Sequence, residues 1–214
     1  MLLLLARHGN TFEAGEKVTW AGARTDPPLT AKGKDQAQAL GIALRPLNAR
    51  LKRILHGPLR RTAEHADIAA RVLGFTGILE IDERLKEIDY GLWEGKSSDE
   101  IKALGAEAEL SAWNERGVWP CSPQWSPPSG VIARSAVQLA EKLAAVLARD
   151  DAALVVSSNG ILRYFLNLVP RAYAEMAKSG KLRVATGNCC ALHHSGAGWQ
   201  LVFWDREPKQ LKLE

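Results

Sequence analysis

The chain has 214 residues and a formal net charge of +4, and 46% of its residues are hydrophobic while 24% are charged. This composition is typical of a globular protein with a sizeable core and excludes the disordered and fibrous classes. The three cysteines are odd in number and lack paired metal-type spacing, so they predict neither a disulfide framework nor a zinc site. A reducing, cytoplasmic compartment is the simplest expectation.

The charge and the apolar segments also limit the partners that the sequence predicts. The apolar start, residues 1–5, has no basic stretch before it and ends at Arg7 and His8, so it does not indicate a signal peptide. We find no apolar run near the roughly 20 residues of a membrane span. A nucleic-acid-associated protein is suggested only by the pI of about 9.0, because the sequence contains no basic cluster. We therefore expect neither a membrane nor a nucleic acid as partner.

Short apolar runs with the composition of buried strands recur along the chain, and the last two form a terminal hairpin. The predicted strands are Leu2–Ala6, Leu51–Leu55, Ala153–Ser157, Cys189–His193 and Trp199–Trp204. Segments with helical spacing are Thr30–Leu44, Leu59–Leu73, Ser98–Ala103, Ile132–Ala148 and Gly160–Leu168. Strands that alternate with helices predict an α/β fold, a three-layer sandwich whose mostly parallel sheet has helices on both faces.

One region breaks this alternation. Trp113–Gly130 contains four of the ten prolines and three of the seven tryptophans, and such proline density indicates irregular backbone. Because tryptophan is poorly suited to a solvated linker, a packed excursion is favoured over a linker between two domains. The sequence therefore predicts a single domain over residues 1–214, with a helical and loop insertion at about 93–130.

Four side chains near these loops have two interpretations. They are Trp20, Arg24, Trp119 and Trp125. They can form a wall over a pocket and so decide which ligand enters, or they can anchor irregular loops to the body of the protein.

The segment with the most chemical information follows the first predicted strand and reads Arg7-His8-Gly9-Asn10-Thr11. Ligands of open α/β sheets bind at the carboxyl ends of the strands. Arginine offers a bidentate fork to phosphate or carboxylate. A neutral imidazole is a nucleophile toward phosphorus when a neighbouring acceptor holds its other proton. The segment is thus either an oxyanion site or an Arg-His pair at a surface turn.

Two later segments favour the oxyanion site. His56–Arg61 ends the second strand and begins a helix, whose free amides favour anions, so Arg61 can converge with Arg7. The segment Leu85–Gly95 is acidic, and a carboxyl in a semi-buried loop can protonate a leaving alkoxide. Its candidate carboxyl groups are those of Glu87, Asp89 and Glu94.

The order of these motifs resembles that of the histidine phosphatase superfamily, which includes cofactor-dependent phosphoglycerate mutases and many small-molecule acid phosphatases. Arg7–Thr11 matches the RHG-x-T signature, and Asp26–Ala37 resembles D-x-PLT-x-x-G-x-x-QA. Gly57–Arg61 resembles SPL-x-R, and Leu85–Gly95 resembles L-x-E-x-x-x-G-x-WEG. The resemblance implies a phosphoglycerate mutase-like fold and phosphoryl transfer through a histidine.

The resemblance also implies roles for individual residues. His8 takes the place of the histidine that becomes phosphorylated, and Glu87 that of the proton donor, which leaves Glu94 as structural. The residues expected to bind the phosphate are Arg7, Asn10, Thr11, Arg61, Ser158 and Asn159.

The segment Val155–Arg163 departs from the family pattern VVSHGG-x-x-R, because Ser158 stands where a second catalytic histidine is expected. Loss of one such donor costs about 100- to 1000-fold in rate. His56 or Asn159 is a hypothetical replacement, and the alternative for His56 is a partly exposed histidine at a strand end. Ala14 is a second departure, where many relatives have an asparagine.

The sequence therefore predicts a metal-independent phosphomonoester hydrolase that acts on a small phosphorylated metabolite through a phosphohistidine, without a cofactor. Hydrolysis is favoured because the chain is shorter than mutases of this family tend to be. One alternative is a phosphoglycerate mutase-like phosphoryl transferase. The other is a catalytically weakened phosphate-binding or regulatory homologue, for which Ser158 is the reason. Neither the substrate nor the oligomeric state follows from the sequence.

Overall fold

The computed structural model describes residues 1–211, and its strands form one six-stranded sheet. The strands are β1 (Leu2–Arg7), β2 (Leu51–His56), β3 (Ile78–Ile81), β4 (Ala152–Ser157), β5 (Cys189–His194) and β6 (Trp199–Arg206). Their order in the sheet is β3-β2-β4-β1-β5-β6. The first four in this order are parallel, whereas β5 and β6 add to β1 as an antiparallel hairpin. The prediction of a mostly parallel sheet with a terminal hairpin is confirmed.

Helices cover both faces of this sheet. They are α1 (Ala31–Ala43), α2 (Arg60–Leu73), α3 (Ser98–Ala103), α4 (Glu107–Arg116), α5 (Ser129–Val146), α6 (Asn159–Leu162) and α7 (Ala172–Lys178). Side chains alternate along β1, so Leu4 faces a core with α1 and α2, while Leu3 and Leu5 face a core with α5. Because both faces are buried, the central strands are continuously apolar. Within the described residues, no helix is long and apolar enough to cross a membrane.

The start of α1 holds the loop that follows β1. Thr30 caps this helix, because its Oγ1 accepts a hydrogen bond from the Gly33 backbone N–H at 3.1 Å. Gly33 touches the loop so closely that a Cβ on it would lie 2.2 Å from the Asn10 carbonyl oxygen, and a Cβ on Gly9 would lie 2.4 Å from the Gly33 carbonyl oxygen. The two glycines therefore let the loop after β1 pack directly on the helix.

Three elements were not predicted from the sequence, namely β3, α4 and α7. Strand β3 is a four-residue edge strand, Ile-Leu-Glu-Ile, with mostly exposed side chains. Its apolar residues are too few and are interrupted by Glu80, so they do not form the continuous run typical of a buried strand. The predicted helix Gly160–Leu168 is wrong in part, since α6 ends at Leu162 and a 3₁₀ helix continues to Leu168. Residues 212–214 of the predicted domain lie outside the described residues.

The proline-rich segment packs against the body of the protein through its tryptophan rings. Trp113 and Trp125 are buried, and their rings meet edge to face with centroids 4.8 Å apart. Trp20 and Trp93 join the same aromatic cluster. The backbone of Ser126 exchanges hydrogen bonds with that of Asp89 at 2.9 and 3.1 Å. This packing fixes the insertion beside the loop that carries the candidate carboxyl groups.

Candidate active site

A cavity of about 410 Å³ opens beyond the carboxyl ends of β1 and β4. Parallel pairing places Arg7 opposite Ser157 and His56 opposite Val156, so the polar residues that follow these strands reach one edge of the sheet. Six of the eight residues predicted for the site line this cavity: Arg7, His8, Thr11, Arg61, Glu87 and Asn159.

His8 is buried with its tautomer fixed by the backbone. Its Nδ1 lies 2.8 Å from the carbonyl oxygen of Gly9, and because a carbonyl only accepts hydrogen bonds, Nδ1 carries the proton. Burial, together with the charges of Arg61 and Arg7, holds the pKa of His8 well below its usual value. The imidazole is therefore neutral near pH 7, with the Nε2 lone pair available to a phosphorus atom.

The two predicted phosphate arginines are positioned by backbone carbonyl groups. Arg7 donates from Nη1 to the Val184 oxygen at 2.6 Å, and Arg61 donates from Nη1 to the Thr25 oxygen at 2.7 Å. Arg61 also donates from Nη2 to the Gly22 oxygen at 3.0 Å. Within residues 1–211, the buried Nε of each arginine has no hydrogen-bond partner.

These contacts orient the guanidinium groups but do not neutralise their positive charge, because carbonyl groups carry no net charge. Burial, followed by the charge of Arg183, lowers the pKa of Arg7 to about 10, so Arg7 is still protonated at pH 7. Two protonated guanidinium groups beside a neutral imidazole are suited to hold an oxyanion such as a phosphate.

Glu87 is the one member of the three candidate carboxyl groups that lines the cavity. It is buried, and its oxygens accept hydrogen bonds from the backbone N–H of Ile88 at 2.9 Å and of Gly160 at 3.3 Å. Burial and the neighbouring Glu87 raise the pKa of Tyr90 well above its usual value, so Tyr90 stays a hydrogen-bond donor beside the carboxyl group. This setting keeps the Glu87 carboxyl in one position.

The other two carboxyl groups hold a loop instead. Glu94 accepts hydrogen bonds from the backbone N–H of Arg24 at 2.6 Å and from the Thr25 hydroxyl at 2.9 Å. Asp89 forms an ion pair with Arg24 at 3.1 Å. This loop also carries the carbonyl group of Thr25 that orients Arg61, so both carboxyl groups act through structure.

Two predicted site residues do not line the cavity. The Asn10 side chain accepts a hydrogen bond from the Thr186 hydroxyl, and its backbone N–H donates to the Gln36 side chain at 2.9 Å. Ser158 is buried, and within the described residues its Oγ has no hydrogen-bond partner. The structure therefore does not bring either side chain together with the other six.

Of the two hypothetical replacements for the second histidine, only Asn159 reaches the cavity. Its Oδ1 accepts from the Val184 backbone N–H at 2.8 Å, so the amide NH₂ remains as a donor. His56 is buried, with Nδ1 2.8 Å from the Gly57 oxygen, and does not line the cavity. The expectation of a partly exposed His56 is therefore wrong as well.

The tryptophan alternatives divide between the two interpretations. Trp20 and Trp113 line the cavity and thus form part of its wall. Trp119 and Trp125 do not line it and serve as anchors within the aromatic cluster. Arg24 also lies outside this cavity and forms ion pairs with Asp89 and Glu94.

His65, to which the sequence assigns no role in the site, is a buried histidine behind the loop Arg7–Thr11. The Gly9 backbone N–H donates to its Nδ1 at 3.0 Å, so the His65 proton is on Nε2. Burial lowers the pKa of His65 to about 3, and the ring is neutral. His65 lies four residues after Arg61 on α2, and this spacing on one helix face is the signal that could have found it.

The two buried histidines predict a stability that falls in acid. Burial lowers the pKa of both His8 and His65 in the folded protein, so below pH 6.5 the unfolded chain binds protons that the folded chain does not. The free energy of unfolding should therefore decrease as the pH falls, by about 1.4 kcal/mol per pH unit for each histidine. Urea unfolding at a series of pH values between 7.5 and 5 measures this slope.

The matched variant for this measurement is His65→Asn, which keeps an acceptor near Gly9 but cannot take a proton. We expect this variant to be less stable at pH 7.5 and to show a shallower dependence on pH than the original chain. Equal slopes for the two proteins would contradict the assignment of a buried neutral His65.

A second prediction concerns Gly160, which lets Glu87 reach its position. A Cβ on Gly160 would lie 2.3 Å from Glu87 Oε1 and 2.8 Å from Ile88 Cδ1, so Gly160→Ala must displace the carboxyl group. If Glu87 transfers protons, a displacement near 1 Å should reduce kcat by about 100-fold. Steady-state kinetics on a phosphomonoester checks this.

The control for this substitution is Gly130→Ala in α5, where the nearest atom to a new Cβ is an arginine nitrogen at 3.6 Å. This control should keep its kcat, and inorganic phosphate should still bind to both variants. An unchanged kcat in Gly160→Ala would show that the position of Glu87 does not matter for turnover.

Known proteins resemble this chain in sequence and in fold. Residues 3–207 match the family model described as "Histidine phosphatase superfamily (branch 1)". The chain belongs to the histidine phosphatase superfamily. Its similarity to members of this superfamily extends over sequence and structure.

One relative of this chain is a 2,3-bisphosphoglycerate-dependent phosphoglycerate mutase of Azorhizobium caulinodans. The two sequences are 28% identical over 192 residues, which cover 87% of this chain and 88% of that protein. The structure of a mycobacterial glucosyl-3-phosphoglycerate phosphatase in complex with VO₃ has a TM-score of 0.76 and 25% identity, and the match covers 95% of this chain and 98% of that one. The alpha-ribazole phosphatase of Shigella flexneri matches with a TM-score of 0.72, at 23% identity and over 100% of both chains, which shows a shared fold. These matches support a phosphatase or mutase enzyme and confirm the phosphoglycerate mutase-like fold.

Proposed function

We propose that this chain hydrolyses a small phosphomonoester through a phosphohistidine on His8, without a metal ion. The observation that carries the proposal is the meeting of a neutral His8, two guanidinium groups and the Glu87 carboxyl in one cavity. The guanidinium groups supply the positive charge that a metal ion would otherwise provide to the phosphoryl oxygens.

The proposed reaction has two steps. In the first, His8 Nε2 attacks the phosphorus, the bond from phosphorus to the ester oxygen breaks, and Glu87 gives a proton to the leaving alkoxide. Arg7 and Arg61 hold the phosphoryl oxygens as charge redistributes. In the second, Glu87 takes a proton from a water molecule that attacks the phosphorus, and the bond to His8 breaks. Inorganic phosphate leaves, and both side chains return to their starting states.

Ser158 favours a second candidate function, a phosphate-binding homologue with weak turnover. Its hydroxyl does not line the cavity, so it does not replace the cationic donor that the family resemblance leads us to expect. Asn159 offers one neutral donor in its place. A mutase is a further alternative, in which the phosphoryl group passes from His8 to a second substrate instead of to water.

A screen of phosphorylated metabolites in buffer with a chelator tests these possibilities. The hydrolase predicts release of inorganic phosphate from at least one phosphomonoester, with kcat/KM above that for a generic aryl phosphate. Binding of phosphate esters without turnover of any of them would instead support the binding homologue. Transfer to an added alcohol or sugar phosphate, with little free phosphate, would support the mutase.

A further inference from the structure

Two arginines besides Arg7 and Arg61 line the same cavity. Arg163 is nearly fully buried, at 2% exposure, and its guanidinium lies over the Trp113 ring at 3.9 Å from the centroid. Arg183 lies in the segment between α7 and β5, one residue before the carbonyl group that orients Arg7. This second pair thus comes from chain segments other than β1 and α2, which carry Arg7 and Arg61.

Neither arginine of this pair is neutralised by the protein. Within residues 1–211, Arg163 and Arg183 form no ion pair with a carboxyl group, whereas Arg53, Arg60 and Arg84 all do. The hydrogen bonds of Arg163 are long, from Nε to the Asn159 oxygen at 3.4 Å and from Nη1 to the Trp113 oxygen at 3.5 Å. A buried guanidinium without a carboxylate partner is unusual, because desolvation of a charge is compensated by pairing in most proteins.

One phosphate does not provide a negative partner for every arginine of the cavity. Four arginines line it, and within residues 1–211 only Arg61 of these four has a carboxylate within ion-pair distance, Asp26 at 3.7 Å. A phosphate monoester held by Arg7 and Arg61 therefore leaves Arg163 and Arg183 without a negative partner. After burial, the charge of Arg183 is the next cause of the lowered pKa of Arg7. These cations therefore repel one another until further negative charge enters.

We propose that the substrate's leaving group carries a second anionic group, a carboxylate or a phosphate, which Arg163 and Arg183 bind. Trp20 and Trp113 also line the cavity, and their rings offer apolar contact to the carbon skeleton between the two anions. This inference rests on the proposed function for the position of the first phosphate. It narrows the substrate class from phosphomonoesters in general to those with a second negative charge.

Three probes with the same three-carbon chain test this inference: propyl phosphate, 3-phosphonooxypropanoate and propane-1,3-diyl bisphosphate. Calorimetric titration into the His8→Ala variant measures their affinities without turnover. At least one of the two doubly anionic probes should bind about 10-fold or more tightly than propyl phosphate, since hydrogen bonds between charged groups are the strong ones. The tighter of the two identifies a carboxylate or a phosphate as the second group.

Arg183→Gln, made in the same background, should reduce this preference to about 3-fold or less. This variant changes an exposed side chain, so loss of folding is not expected, and Arg163→Gln provides a second test of the pair. The matched control is Arg134→Gln, which removes an exposed arginine of α5 that does not line the cavity and should keep the full preference.

Equal affinity for the three probes would overturn the inference, and so would a preference that survives both Arg163→Gln and Arg183→Gln. The proposed function is tested separately by turnover in the chain that retains His8. Hydrolysis of propyl phosphate with no preference in binding would leave the function standing and remove the second anion site. A clear preference in binding with no turnover of any probe would support the second anion site and contradict the proposed hydrolase function.

Discussion

His8→Ala is expected to reduce the turnover of a phosphomonoester by at least about 10,000-fold, because the substitution removes the atom that attacks phosphorus in the proposed mechanism. His8 is held with Nδ1 on the Gly9 oxygen at 2.8 Å, and within the described cavity no other imidazole offers a free nitrogen. The proposed phosphate ligands Arg7 and Arg61 do not depend on this side chain for their position, since backbone carbonyl groups orient both. The variant should thus still bind inorganic phosphate.

Steady-state kinetics with 4-nitrophenyl phosphate measures this loss, and circular dichroism checks that the variant is folded. His194→Ala provides the matched control, because His194 lies on β5 and outside the cavity, so its loss should leave kcat unchanged. Residual turnover above about a tenth of the original value in His8→Ala would exclude His8 as the nucleophile.

Glu87→Gln is expected to reduce kcat by about 100- to 10,000-fold for an ester of an alkyl alcohol, the range for loss of a positioned proton donor. Glutamine keeps the shape of the side chain and one oxygen that can accept from the Ile88 backbone N–H. The neutral amide neither protonates the alkoxide nor takes a proton from water, so both proposed steps should slow.

The leaving group separates the two steps in this variant. 4-Nitrophenolate leaves without a proton, so formation of the phosphohistidine should be nearly spared with 4-nitrophenyl phosphate, and its hydrolysis should be slow. We therefore expect a burst of nitrophenolate followed by a slow steady state in Glu87→Gln. Asp89→Asn, in the neighbouring ion pair with Arg24, should show no burst, and equal kcat in Glu87→Gln and the original chain would rule out Glu87 as the proton donor.

Much of the sheet could be predicted from the sequence, because its central strands are buried on both faces and must be apolar throughout. The same reasoning fails at β3, an edge strand whose side chains are mostly exposed. It also fails at the end of α6, where the chain tightens into a 3₁₀ helix although the apolar spacing continues. Local pattern alone does not distinguish these two helical forms.

The motifs predicted that Arg7, His8, Arg61 and Glu87 would meet, and these residues line one cavity. The physical reason is that parallel strands end at the same edge of the sheet. The motifs do not predict which residue, far away in the sequence, each of these side chains contacts. Asn10 belongs to the signature, yet its side chain bonds to Thr186, 176 residues away.

His65 and the second arginine pair illustrate the same limit. Whether a histidine on a helix is buried against a distant loop depends on packing, and the bond from the Gly9 N–H to His65 spans 56 residues. Arg163 and Arg183 lie on separate segments, and only the fold places both at the cavity that contains His8. Sequence spacing therefore predicted that Arg7 and Arg61 converge with His8, but it did not predict that Arg163 and Arg183 line the same cavity.

Rapid quenching of the enzyme during turnover of 4-nitrophenyl phosphate tests the phosphohistidine mechanism most directly. Digestion in base, where phosphohistidine survives, followed by mass spectrometry should place one phosphoryl group on the peptide that contains His8, at higher occupancy in Glu87→Gln and absent from His8→Ala. Turnover at the full rate with no phosphoryl group on His8, or with the group on another residue, would contradict the mechanism.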